Sequence, residues 1–162
     1  MTGLNYDRIK LFAEMEREFD NKNEQYFKDL LGHSDNVVRT RAVCILADIA
    51  GENAVGPIGW VLENDIDPLV RHEAAFSLGQ LGYVSGIPTL ADSVRSDPSF
   101  FVRHEAAVAL GVIGSEDARN TLKDALKDES IEVSDSATVA LANLDYIKAT
   151  SSNSRFTKMT GG

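Results

Sequence analysis

LVRHEAAFSLGQLG, from Leu69 to Gly82, returns as FVRHEAAVALGVIG, from Phe101 to Gly114, and an earlier copy, VVRTRAVCILADIAG, occupies Val37 to Gly51. Arg39, Arg71 and Arg103 mark one register in steps of 32 residues. A degenerate fourth copy, IEVSDSATVALANLD, begins at Ile131, with Val133 standing about where Val38, Val70 and Val102 stand. In the second copy Val70, Ala74, Leu78 and Leu81 recur at intervals of three and four, the helical period, and Val102, Ala106, Leu110 and Ile113 repeat that face. A further apolar segment precedes each copy: EQYFKDLLG, VGPIGWVLEN, GIPTLADSVRS and ARNTLKDALKD. Each unit therefore reads as two helices. Asp67-Pro68 and Asp97-Pro98 should stop the first helix of a pair and start the turn to the second, because a residue before proline avoids the α region. Gly82 and Gly114 should close the second helix.

A helical pair this short cannot bury its apolar face alone, so it must stack on its neighbours, with atypical units capping the ends. The sequence predicts an all-α fold: a HEAT-like repeat α-solenoid, or α-α superhelix, of about four helical pairs plus an N-terminal helix, over residues 1–148. Tyr6 to Phe19, with Ile9, Phe12, Met15 and Phe19 on one side, reads as the amphipathic leading helix. The degenerate fourth repeat reads as the other cap. Beyond Ile147 the chain turns polar, KATSSNSRFTKMTGG, too poor in apolar groups to offset the entropy of ordering it, and residues 149–162 are expected to form a flexible tail.

A chain of 162 residues suits one domain, and 43% apolar with 25% charged residues is the balance of a soluble globular protein. The start, MTGLNYDRIK, lacks the apolar core of a secretory signal, and no apolar run reaches the roughly 18 residues of a membrane span, so a cytoplasmic location away from membranes is expected. A formal charge of -9 argues against nucleic acid, which is held mainly by Lys and Arg on phosphates, and favours a basic partner or a cationic substrate. Cys44, the single cysteine, cannot form an intramolecular disulfide; within RAVCILADIA it reads as a small buried hydrophobe.

His72-Glu73 and His104-Glu105 stand at one position in consecutive repeats, near the start of each second helix. If second helices run side by side about 8 to 10 Å apart along a concave surface, imidazoles from neighbouring helices can share a metal ion. Neutral imidazole with carboxylate suits Fe, Zn or Mn, and two His with one carboxylate is the non-haem iron arrangement. The end repeats depart from the pattern, with Thr40-Arg41 in the first and Asp135-Ser136 in the fourth, so one chain offers half a site. A two-fold dimer would bring four His and four Glu together, enough for two metals. Gly79 and Gly111, at equivalent places inside these helices, point to close approach of another backbone or a ligand, since a helix-interior glycine costs about 1 kcal/mol relative to alanine. His33, in the turn GHSDN, reads as a surface residue.

From Gly59 to Ile147, through GWVLENDIDPLVRHEAAFSLGQLG, GIPTLADSV, VRHEAAVALGVIG and SIEVSDSATVALANLDYI, the chain resembles one half of deoxyhypusine hydroxylase. The usual form of that family has two similar halves whose His-Glu motifs jointly hold a di-iron centre, which hydroxylates deoxyhypusine, a modified lysine on a translation initiation factor. The resemblance implies that His72 and His104 are iron ligands, Glu73 a carboxylate ligand and Glu105 a ligand or a base beside it, with Glu73 and Glu105 as the catalytic carboxylates. It implies a di-iron monooxygenase with two Fe per dimer, completed by homodimerisation or a homologous partner, because the second half is missing. Glu63, Asp65 and Asp67 could line a groove for a cationic side chain. Two other functions use such repeats: a non-enzymatic scaffold holding a basic protein, and a bilin lyase, for which no aromatic pocket or further cysteine is found.

Overall fold

A computed structural model describes residues 3–150. Helix α5 (Pro68–Leu81) shows how each repeat is bounded: Asp67 accepts from the Leu69 N–H, Pro68 takes the first turn where no donor is needed, and Gly82 ends the helix at φ 73°. Helix α7 (Phe100–Ile113) ends the same way at Gly114, φ 71°. Around them run α1 (Gly3–Asp20), α2 (Glu24–Leu30), α3 (Asn36–Ala50), α4 (Val55–Asn64), α6 (Ile87–Ser96), α8 (Arg119–Ala125) and α9 (Ile131–Thr150). The pairs α2/α3, α4/α5, α6/α7 and α8/α9 stack so that α3, α5, α7 and α9 form one layer and α4, α6 and α8 the other. The fold is the all-α HEAT-like solenoid that the repeats predict. The expected tail lies outside the described residues from 151 onward.

The core runs unbroken between the layers. Val70, Ala74 and Leu78 of α5 meet Val102, Ala106 and Leu110 of α7, then Val133, Ala137 and Leu144 of α9. At the leading end Met15 and Phe27 are wholly buried, whereas Ile9 and Phe19, expected on the buried side of α1, are exposed. The stretch Asn36–Asn64 reaches a mean hydropathy of 1.2, but it is two helices: Gly51, at φ 55°, and a 3-10 turn over Gly51–Ala54 separate α3 from α4. Neither piece has the roughly 20 residues of a span.

A ladder of arginines ties the repeats together. Arg39, Arg71 and Arg103 each clasp, with two nitrogens, an aspartate one repeat on: Asp65, Asp97 and Asp128. The third nitrogen of each donates to a carbonyl six residues upstream, of His33, Asp65 and Asp97. Each guanidinium thus joins its own turn to the next one. The two Asp-Pro steps are therefore out of register. Asp97 is the counterpart of Asp65, and Asp67, which caps α5, is the counterpart of Ser99, the residue before α7.

Gly79 packs directly on α7: a Cβ there would lie 2.9 Å from both Cα and Cβ of Ala109. The close approach read from the sequence is thus that of a neighbouring helix. Gly79→Ala should lower stability by about 1–3 kcal/mol despite its better helix propensity, because the two backbones must part. Thermal unfolding would show it as a lower midpoint; an unchanged or higher midpoint would mean that the α5–α7 spacing yields freely. Gly111 is buried, and its carbonyl accepts from the Asn143 amide at 2.8 Å.

Candidate functional site

Because Val70, Val102 and Val133 align, the row of His72 and Glu73 continues on the next helix as His104 and Glu105, and on α9 as Asp135 and Ser136. The pairing runs across repeats rather than within a motif. His72 Nε2 lies 3.2 Å from Glu105 Oε2, and Glu105 is buried. The His72 ring is held on its other side by Phe101, stacked at 3.9 Å and nearly parallel. His104 also reaches the following repeat, where Ser136 stands in the place of a glutamate, but through its other nitrogen: Nδ1 lies 2.7 Å from Ser136 Oγ and 3.3 Å from the Glu132 carbonyl.

A proton on His104 Nδ1 would satisfy every contact in this network: the Glu132 carbonyl only accepts, so it can take both the Ser136 hydroxyl at 2.7 Å and the Nδ1 proton, which Ser136 Oγ also accepts. In that tautomer Nε2 keeps its lone pair, the state in which imidazole binds a metal, its other nitrogen anchored to an oxygen.

Glu73 turns the opposite way. Its carboxylate accepts from Cys44 Sγ at 3.0 Å. Cys44 is an exposed residue on the open face of α3, in register with Phe76 and Val108, not the core hydrophobe expected. Burial of the sulfur against its pocket, and then the Glu73 carboxylate beside it, push the thiol up to about 12, so it stays protonated and donates. A pocket of about 340 Å³ opens beside this pair, lined by Asp48, Glu73, Phe76 and Gln80 among others.

Of the acidic residues put forward for a groove, two are engaged elsewhere. Asp65 is clasped by Arg39, and Asp67 accepts from the Asn36 amide and the Leu69 N–H, which hold its carboxyl below the usual range. Glu63 remains exposed. His33 accepts the Asp35 N–H on Nδ1 within its turn, away from the row.

Among the described residues no three His, Cys, Asp or Glu side chains converge on one point. The fit to a metal lies in the donor pair. Ligands about 2.1 Å from an ion and at right angles stand about 3 Å apart, and His72 Nε2 and Glu105 Oε2 are set at that separation. That separation is also an ordinary ion-pair distance; the pair joins α5 to α7, His104 precedes Glu105 on α7, and the donor types suit a metal although no third donor converges on the pair among the described residues.

The family profile for HEAT repeats matches residues 24–111 and 95–151. No curated protein sequence matches the chain. Among solved structures, human deoxyhypusine hydroxylase in complex with glycerol superposes with a TM-score of 0.75 at 26% identity, over 91% of this chain and 52% of that one. The chain spans about half the length of that enzyme, and its fold resembles one half of it.

Proposed function

The chain belongs to the HEAT-repeat family, and from that premise we propose that it is an iron-dependent oxygenase of the deoxyhypusine hydroxylase kind, built as a half and completed when two chains pair. The observation that carries this reading is the contact of His72 Nε2 with Glu105 Oε2, a ligand pair made by two successive repeats. His72, Glu105 and His104 would hold iron, which when bound supplies the means of activating O2 for insertion into a C–H bond. The chain's residues do the positioning. Phe101 fixes the plane of His72, Ser136 and the Glu132 carbonyl fix the tautomer of His104, and Cys44 fixes Glu73.

Glu73 and Asp48 then face a pocket suited to a cationic side chain. A long amine needs carboxylates for its charge and an apolar wall for its methylenes, and Phe76 provides that wall. The substrate is accordingly a lysine-derived side chain on a protein, and a deoxyhypusine-bearing translation factor is the first to try. Glu73 acts in this reading on the substrate, Glu105 on the metal.

The protein, loaded with ferrous iron without oxygen and then given O2 and a deoxyhypusine-bearing protein, should add one oxygen atom to that side chain, read by peptide mass. Metal binding without oxygen transfer to any lysine-derived substrate would sink the oxygenase reading. A second reading, a metal-free scaffold for a basic protein, draws on the absence of a three-ligand cluster among the described residues and on the charge of -9. It predicts no iron uptake at all.

A further inference from the structure

Large apolar side chains are exposed at the N-terminal ends of the second helices, beside the His-Glu row. Leu69 and Phe101 occupy one register on α5 and α7; Phe100 and Ile131 occupy the preceding one on α7 and α9. Ile66 is 91% exposed, Ile131 68%, Leu69 53%, Phe100 50% and Phe101 39%. At ~150–200 Å² for a large apolar side chain, the four on the helices leave on the order of 350 Å² of apolar surface in water, and Ile66 just before α5 brings the total to about 500 Å². That is at the upper end of what one patch on a monomer usually shows. It also equals the apolar share of a standard interface, about 800 Å² a side and a little over half apolar.

Charge on the same row supplies an orientation. Where the middle repeats carry His-Glu, α3 carries Arg41 and α9 carries Asp135, both exposed. The Arg41 guanidinium rests on the Phe12 ring, 4.6 Å from its centre, which steadies it at the surface. A two-fold axis passing between α5 and α7 would lay α3 of one copy against α9 of the other, and the departures from the motif at the two ends then complement each other.

We infer that the ridge of Leu69, Phe100, Phe101 and Ile131 is the surface on which a second copy of this chain docks, about a two-fold axis between α5 and α7, with Arg41 of each copy facing Asp135 of the other. The surface stands on exposure and register; only the choice of axis rests on the half-site reading above. Phe101 links the two, since its ring belongs to the ridge and also stacks on His72. Docking there would exclude water from the His72–Glu105 pair.

Sedimentation equilibrium on the full chain tests this. The native protein should weigh twice its 17.6 kDa. Phe100→Asp with Ile131→Asp should weaken the dimer by about 100-fold or more, by placing charges in an apolar contact. These residues open their helices, where an acidic side chain suits the positive end, so helicity by circular dichroism should be unchanged. Asp135→Arg should weaken the dimer about 10-fold, and adding Arg41→Asp should restore it. A native monomer, a dimer indifferent to the ridge substitutions, or a charge exchange that fails to restore would overturn the inference. Iron measured on the same samples separates it from the functional reading: a ridge-dependent dimer without iron keeps this surface and removes the oxygenase, while a dimer that binds iron but ignores the ridge substitutions keeps the oxygenase and removes this surface.

Discussion

His72→Ala and Glu105→Ala should each lower iron affinity by more than about 100-fold, and His104→Ala should do the same, because each removes a proposed donor rather than a support. Ser136→Ala should be milder, on the order of 10–100-fold, since it loosens the tautomer of His104 without removing the ring. Two controls give the series its meaning. His33→Ala, whose ring only accepts a turn N–H, should keep full iron. Glu73→Gln should also keep it, while weakening the grip on a cationic side chain. Titration with ferrous iron under exclusion of oxygen reads all six. If Glu73→Gln abolished binding and Glu105→Ala did not, the ligand roles drawn from the cross-repeat pairing would be reversed.

Asp97→Ala should cost about 3–5 kcal/mol of stability. The Arg71 guanidinium and the Asp97 carboxylate are 10% and 5% exposed, joined by two hydrogen bonds of 2.8 and 2.9 Å. Removing the acid leaves a buried cation without its partner and also frees the Ser99 N–H that Asp97 accepts. Against a total of about 5–15 kcal/mol for a domain, that is a loss of about a fifth or more. Asp92→Ala is the control: its pair with Arg95 is 72% and 51% exposed and should contribute next to nothing. Urea unfolding of both variants makes the comparison, and equal midpoints would mean the ladder is ornamental. The ladder also sets the acid limit. Arg103 beside Asp128 holds that carboxyl below its ordinary 3.8, so its contribution is present above that value and lost as the pH falls below it.

The solenoid was legible because two periods agree, the three-four spacing within a helix and the 32-residue return of the arginine between helices. The partners of those arginines were not, because Asp67-Pro68 and Asp97-Pro98 look equivalent and are two residues out of step. Cys44 was misread for a related reason: in a run as apolar as RAVCILADIA, composition hides which residue faces out, and only alignment with Phe76 and Val108 places it on the open face. The His-Glu row could be read from spacing alone. That His72 meets Glu105 rather than Glu73 could not, since the stagger between neighbouring helices is fixed by packing, including the contact of Gly79 with Ala109. Ser136 looked like decay of the motif in the last repeat; the structure gives it the anchoring of His104.

In the proposed function two chains assemble one metal site from paired His72–Glu105 edges. Iron per chain, measured with the native mass of the same sample after reconstitution with ferrous iron, tests it most directly. The expected result is about one iron per chain in a dimer, lost in His72→Ala. A reconstituted protein that stays free of iron would contradict it and leave a HEAT-repeat scaffold.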